Sequence, residues 1–435
     1  MSENNSAGEV ILREWKDDQV WFRDLIPEEY PWGNEEFLDE VPETARGEFG
    51  VKFAGDSTVD GTRYQSGQIA VVDTREEFVR LFSRSENILG IIVPWFDRIV
   101  PATLLTPYQR QIDKAEFRRG LAAKFQKALL ITVVLLGIGF WMKEFLMLAL
   151  LGATIYGLFP LVEVAMTWFR KIDEVSVPEL NRRLVNHEFF QRWMLSRPKR
   201  SMQIAIGVLV LVFLGQCAVD GGLFNLGQSV QAAALVKKDV TEGGEWWRTV
   251  TTGLMHANLI HILFNGMALY SLGRVITAVV SRSLLSVVFL VTVITGSIAS
   301  LYLGPSEVTF EGVTMPRASV GASGGILGCL GFLLVITYKY KGVIPGYLRL
   351  SLIQSAIVVT IFGLLGSLFI DNAAHAGGFV GGVVLGLVFY PWLNLAPERT
   401  RLSIRFLGWV SMAVLVAGVV KIAIELVPLG SPYFQ

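Results

Sequence analysis

Ser323 stands in "ASVGASGGILGCLGF", residues 318–332, with Gly321 two positions before it and Gly324 directly after. A serine at the head of so glycine-rich an apolar run has two roles open to it. It can bond a carbonyl one turn back, or it can be a nucleophile whose oxyanion must sit against bare backbone. Gly-x-Ser-Gly alone does not separate the two. The four histidines bear on the choice. His187 lies in a basic stretch, while His256, His261 and His375 all lie in apolar surroundings further along. An imidazole within hydrogen-bond reach of a serine hydroxyl makes an activated nucleophile.

His375 opens the run "HAGGFVGGVVLG", in which Gly378, Gly382 and Gly386 recur every four residues on nearly the face of the imidazole. The run after Ser323 carries Gly324, Gly328 and Gly331. Small residues at this spacing let membrane helices approach closely. Two such helices, each with a polar residue in its outermost turn, are expected to bring Ser323 and His375 together. In "HANLIHILFNG", His261 and Asn265 are four apart and share a helical face. That pair reads either as interhelical glue or as two donors aimed at developing negative charge. The backbone N–H of Ser323, at a helix start, would be a third donor. For His256 the reading as glue between helices stands on its own.

Elements able to position these groups follow from composition. Hydrophobic residues make up 52% of the 435 positions and charged residues 17%, well below the roughly one quarter charged of soluble domains. The spacing of apolar runs predicts seven spans, at 202–219, 255–273, 284–303, 321–338, 350–369, 373–392 and 406–427, each near the ~20 residues a bilayer demands. With the tail at 428–435, they give a membrane domain over 201–427. A further apolar region lies at 118–169, interrupted at Lys143-Glu144, and reads as a helical membrane hairpin or a re-entrant one. A basic linker, 170–200, follows it. Residues 1–117 read as water-soluble. The first fifty hold 14 acidic and 4 basic side chains, which favours partial disorder. Beyond them "GQIAVVD" alternates like a strand and "TREEFVRLFSRS" has a helical pattern behind a Thr cap with Glu three on, so a small α+β module is expected.

Charge placement sets the expected orientation. With the N-terminus in the cytosol, twenty Lys and Arg flanking the spans fall inside and six outside, as the positive-inside rule requires. Ser323 and His375 then open to the extracytoplasmic side, of a bacterial inner membrane or a plasma membrane. Several function classes drop out. Equal numbers of acidic and basic residues, 38 each, give no electrostatic case for nucleic acid. Cys217 and Cys329 sit in apolar runs and suggest neither a disulfide framework nor a zinc site, so no metal or cofactor is expected. No apolar signal segment opens the chain. A transporter would carry internal repeats and midplane ionisable groups, and neither is clear.

Together, "GEWWR", "HILFN", "GASG" and "AHAGGFVGG", in this order over residues 200–427, resemble the rhomboid intramembrane serine proteases. The resemblance implies an all-α six-helix core with an added seventh C-terminal span. It implies Ser323 as nucleophile, His375 as general base, and Asn265 and His261 as oxyanion-hole side chains. Arg248, with Trp246 and Trp247, would anchor a membrane-lying first loop. Substrates would be membrane proteins with a transmembrane segment, entering past the fifth span. Leu327 departs from the aromatic that some members carry four residues after the nucleophile, which implies tuning of the imidazole's packing. Residues 1–200 lie outside the resemblance. A non-catalytic rhomboid-like binder of membrane helices, a chaperone or adaptor, is the alternative. Oligomeric state is not legible.

Overall fold

The computed structural model describes residues 39–85, 88–94, 97–101, 114–142, 146–168, 190–191, 193–197, 200–310, 313–341, 343–367, 369–393 and 400–430. The acidic residues through 38, the turn at Lys143-Glu144, most of the basic linker and the last five residues of the tail lie outside the described residues.

The chain divides into two compact units. In the N-terminal one, β1 (Phe49–Phe53), a hairpin of β2 (Ser57–Val59) and β3 (Thr62–Tyr64), and β4 (Ile69–Val72) precede α1 (Arg75–Arg84), β5 (Ile88–Ile92) and β6 (Val100–Pro101). The sheet is antiparallel in the order β4-β1-β5-β6, with Val51 opposite both Ala70 and Ile91. Val51, Phe53, Ile91 and Ile92 are buried. Thr74 caps α1 by accepting from the Glu77 amide at 3.3 Å, as the spacing predicts. Asp60, in the β2–β3 turn, pairs with Arg80 at 2.7 Å and Arg84 at 2.5 Å. The expected α+β module is present.

The second unit holds the apolar helices. A long helix, α2 (Lys114–Trp141), whose residues from Ala123 onward belong to this unit, is followed by α3 (Leu146–Ala153), a π turn at Thr154–Leu158, and α4 (Phe159–Trp168). Pro160, which has no N–H to donate, comes just after the π turn. Then come α5 (Arg200–Asp220) and a connection containing α6 (Gly227–Ala233), β7 (Leu235–Val236), α7 (Lys237–Thr241) and α8 (Arg248–Thr251). Next are α9 (Leu259–Val279), α10 (Arg282–Leu303), the hairpin β8 (Glu307–Phe310) and β9 (Val313–Pro316), and β10 (Ala318–Ser319). The last helices are α11 (Ser323–Lys339), α12 (Gly346–Leu365), α13 (Asn372–Phe389) and α14 (Leu402–Leu426).

Seven helices among the described residues are long and apolar enough to cross a bilayer: part of α2, then α5, α9, α10, α12, α13 and α14. At 17 residues α11 is shorter than the others. The second span begins four residues later than the apolar run does. Asn258 caps α9 by accepting from the His261 amide at 2.9 Å, so the helix starts after it and His256 lies in the preceding loop rather than in a span.

Three helices form the packed centre, and glycine makes their approach possible. A Cβ on Gly378 or Gly382 would collide with the carbonyl of Gly324 or Gly328, so α13 lies against α11 backbone to backbone. On its other flank α13 meets α10. A Cβ on Gly377 would lie 2.7 Å from the Thr295 carbonyl, and one on Gly296 would lie 2.8 Å from that of Ala374. Hydroxyls of α10 finish the job: Thr292 donates to the Gly325 carbonyl at 3.3 Å and Thr295 to that of Gly377 at 3.1 Å. Such interhelical bonds replace the hydrophobic effect, which is absent in lipid.

Candidate active site

Ser323 is the first residue of α11 and His375 lies in the first turn of α13. Close packing of these helices puts His375 Nε2 2.8 Å from Ser323 Oγ, across 52 residues of chain. Both side chains are half-buried. With the unprotonated nitrogen facing the hydroxyl, this geometry lets the imidazole take the proton as the oxygen attacks. Leu327, one turn along α11, is buried.

The approach to Ser323 is a tight one. Gly321 has φ +121, a conformation that favours glycine. A Cβ there would also lie 2.6 Å from His261 Cε1 and 3.2 Å from Asn265 Nδ2. His261 and Asn265, one turn apart on α9, therefore border the backbone just ahead of Ser323. Asn265 is buried, and its Nδ2 has no hydrogen-bond partner among the described residues. A buried amide left unpaired costs about 1–3 kcal/mol. Ala322 provides no side-chain cap to α11, so first-turn amides also remain available beside the hydroxyl. The corner thus combines a hydroxyl, an imidazole and several unspent donors, a set suited to addition at a carbonyl and stabilisation of the resulting oxyanion.

His256, fully buried, lies edge-on to the His261 ring, with centroids 5.4 Å apart at 74°. Gln216 of α5 grips its backbone from both sides, accepting from the amide at 3.0 Å and donating to the carbonyl at 2.9 Å. His256 therefore backs the ring of His261 and stands one layer behind the Ser323–His375 pair.

Arg248 belongs to a different cluster. It is buried in the α5–α9 connection, where it donates to the carbonyls of Gln231 at 3.0 Å and Ala234 at 2.7 Å. It also pairs with Asp239 at 3.2 Å and Glu245 at 2.5 Å. Its guanidinium stacks on Trp247, whose ring also meets the Lys421 ammonium of α14 at 4.5 Å from the centroid. Trp246 is exposed.

Sequence reasoning missed Thr252. Its carbonyl accepts from the Gly321 amide at 2.9 Å and its hydroxyl donates to the Ser319 carbonyl at 2.6 Å. β10 also pairs with β7. The lead into Ser323 is thus fixed to the α5–α9 connection. Irregular segments joined this way carry no periodic signal, so spacing had nothing to report.

A family model described as "Rhomboid domain" matches residues 243–392. "Rhomboid protease GluP" of Bacillus subtilis is 32% identical over 179 residues, covering 41% of this chain and 32% of that protein. "Rhomboid protease AarA" of Providencia stuartii is 25% identical over 175 residues, 37% of this chain and 60% of that protein. "Inactive rhomboid protein 2" of Homo sapiens is 28% identical over 152 residues, 34% of this chain and 16% of that protein. In each case the chain spans less than two thirds of the relative's length. With its rhomboid domain at 243–392 and its set of apolar helices, the chain is a multi-pass membrane protein that carries a rhomboid domain.

Proposed function

We propose that the chain is an intramembrane serine endopeptidase that cleaves transmembrane segments of other membrane proteins through a Ser323–His375 dyad. The 2.8 Å contact between His375 Nε2 and Ser323 Oγ carries this reading. In the proposed reaction, Ser323 Oγ adds to the scissile carbonyl while His375 takes its proton. The tetrahedral oxyanion accepts from the Ser323 amide and from the side chains of His261 and Asn265. The imidazolium then returns the proton to the leaving nitrogen as the C–N bond breaks, leaving an acyl-serine. Water, activated by the same imidazole, hydrolyses the ester and restores the hydroxyl. The steps need no metal or organic cofactor.

The positive-inside balance supports a cytosolic N-terminus with the site opening on the far side. In this reading residues 1–117 are a cytosolic appendage, 118–169 a membrane hairpin and 201–427 the protease domain. A non-catalytic rhomboid-like binder is the second reading, and the likeness to a relative named as inactive gives it standing. A fluorophosphonate probe separates the two. The peptidase reading expects covalent labelling at Ser323 and cleavage of a single-span substrate, both lost in Ser323→Ala. A folded wild-type chain that neither labels nor cleaves would leave the binder.

A further inference from the structure

Asp371 caps α13, accepting from the Ala374 amide at 3.0 Å through Oδ1. Capping uses one carboxylate oxygen, and any Ser, Thr, Asn or Asp can do it. The other oxygen is engaged elsewhere. Oδ2 accepts from the Ser300 hydroxyl, in the last turn of α10, at 2.5 Å. The Ser319 hydroxyl stands beside the same carboxylate and favours its charge. Ser300 and Ser319 are both buried, and Ser319 lies in β10, four residues before Ser323. A single side chain therefore joins the turn that carries His375 to the end of α10, beside the strand that leads into Ser323.

The surroundings keep that side chain ionised. Burial works against the charge, but the hydroxyls of Ser300 and Ser319 and the Ala374 amide, with the field of Arg317, outweigh it and hold the carboxyl below its ordinary range. Arg317 itself donates to the Ile370 carbonyl at 2.9 Å, and Lys237 to the carbonyl of Gly304. Both cations thus brace the loop ends beside Asp371. The carboxylate oxygens go to Ala374 and Ser300 and not to the imidazole, so Asp371 is no third member of a proton relay.

We propose that Asp371 is a positioning residue: by tying the first turn of α13 to the end of α10, with the Ser319 hydroxyl of β10 beside the same carboxylate, it sets the separation of Ser323 and His375. The proposal rests on the peptidase reading. Its physical basis is that a reacting pair tolerates little displacement, a misplacement of about 1 Å costing about a hundredfold in rate. β10 is two residues long, and its ladder and the two Thr252 bonds hold the approach to Ser323 from the side of the α5–α9 connection.

The test compares the full-length wild type with Asp371→Ser and Asp371→Asn in one detergent. It reads kcat and KM on a single-span substrate, the fluorophosphonate labelling rate at Ser323, and Tm. Serine can still cap but is too short to reach Ser300 and Ser319. Asparagine caps through its oxygen and can bond both hydroxyls through its amide. Asp371→Ser is expected to keep KM and nearly all of Tm while kcat and labelling fall together by about ten- to a hundredfold. Asp371→Asn should stay within about threefold of wild type, since it restores both functions. Should Asp371→Ser fail to fold, the Ser300→Ala, Ser319→Ala pair leaves the cap intact and is expected to show the same fall in kcat. Wild-type turnover in Asp371→Ser, or in the serine pair, overturns the proposal and leaves capping as the whole role. A wild type that neither cleaves nor labels overturns the peptidase reading, and this proposal with it.

Discussion

Gly378 presses its α-carbon face onto the carbonyl of Gly324, the residue that follows Ser323, and sits three positions after His375. No side chain intervenes at the level of the dyad. Gly378→Ala must therefore move the two helices apart, and Gly378→Val must move them further. Overpacking of this kind costs about 1–3 kcal/mol. Both variants should lose Tm and activity together, valine more than alanine. Activity lost at unchanged Tm would mean that the contact does something other than set distance.

The dyad should behave differently. Ser323→Ala and His375→Ala each remove one partner from a half-buried 2.8 Å bond and leave the glycine contacts untouched. Expression and Tm should stay near wild type while turnover falls by about four orders of magnitude or more. Because the two groups act as a unit, the double variant should be no slower than either single one. Purified protein and one defined substrate suffice to measure it.

Asn265 separates a donor from a packing residue. Its Nδ2 bonds nothing among the described residues, so Asn265→Ala gives up little native bonding there and should change stability by less than about 1 kcal/mol. If the amide serves the oxyanion, kcat should fall by about a hundredfold with KM nearly unchanged. His261 borders the same backbone and can partly compensate, so the His261→Ala, Asn265→Ala double variant should fall further. A drop in Tm with normal kcat would return Asn265 to the role of interhelical glue.

Arg248 gives the opposite pattern. Its guanidinium supplies bonds to two carbonyls and two carboxylates from inside the α5–α9 connection. Arg248→Ala strands all four acceptors and should cost about 2–4 kcal/mol. Arg248→Lys should recover only part, since an ammonium cannot span the same fork of acceptors. Limited proteolysis of residues 221–254 should quicken in step with the fall in Tm. A normal Tm in Arg248→Ala would count against the cluster as a structural hub.

What was legible in the chain was whatever helical periodicity writes down. His375 with the Gly378–Gly382–Gly386 face, and the pair His261 and Asn265, repeat at intervals of three or four, and a helix converts such intervals into a shared side; Ser323 stands out instead as a serine at the head of a glycine-rich run. The second face of α13 escaped notice. Gly377 and Gly381 turn toward α10, but spacing reveals that a face is small without naming the neighbour it meets. His256 was placed in a span because the apolar run begins before it, although the cap at Asn258 starts the helix later. Contacts through irregular segments, such as Thr252 to Gly321 or Ser319 to Asp371, join residues dozens of positions apart and leave no local mark.

The shortness of α11 bears on the lipid around it. Seventeen residues rise about 25 Å, against an apolar bilayer thickness of about 30 Å. Helix α11 packs against α10 and α13 and cannot tilt or slide freely to meet both interfaces. The mismatch must then be taken up by the surroundings, through a locally thinned leaflet or a polar recess above Ser323, and its cost scales with each ångström of thickness. For the proposed peptidase, membrane thickness thereby becomes a variable of the chemistry: a thinner leaflet brings water and headgroups down to the hydroxyl, and a thicker one buries it.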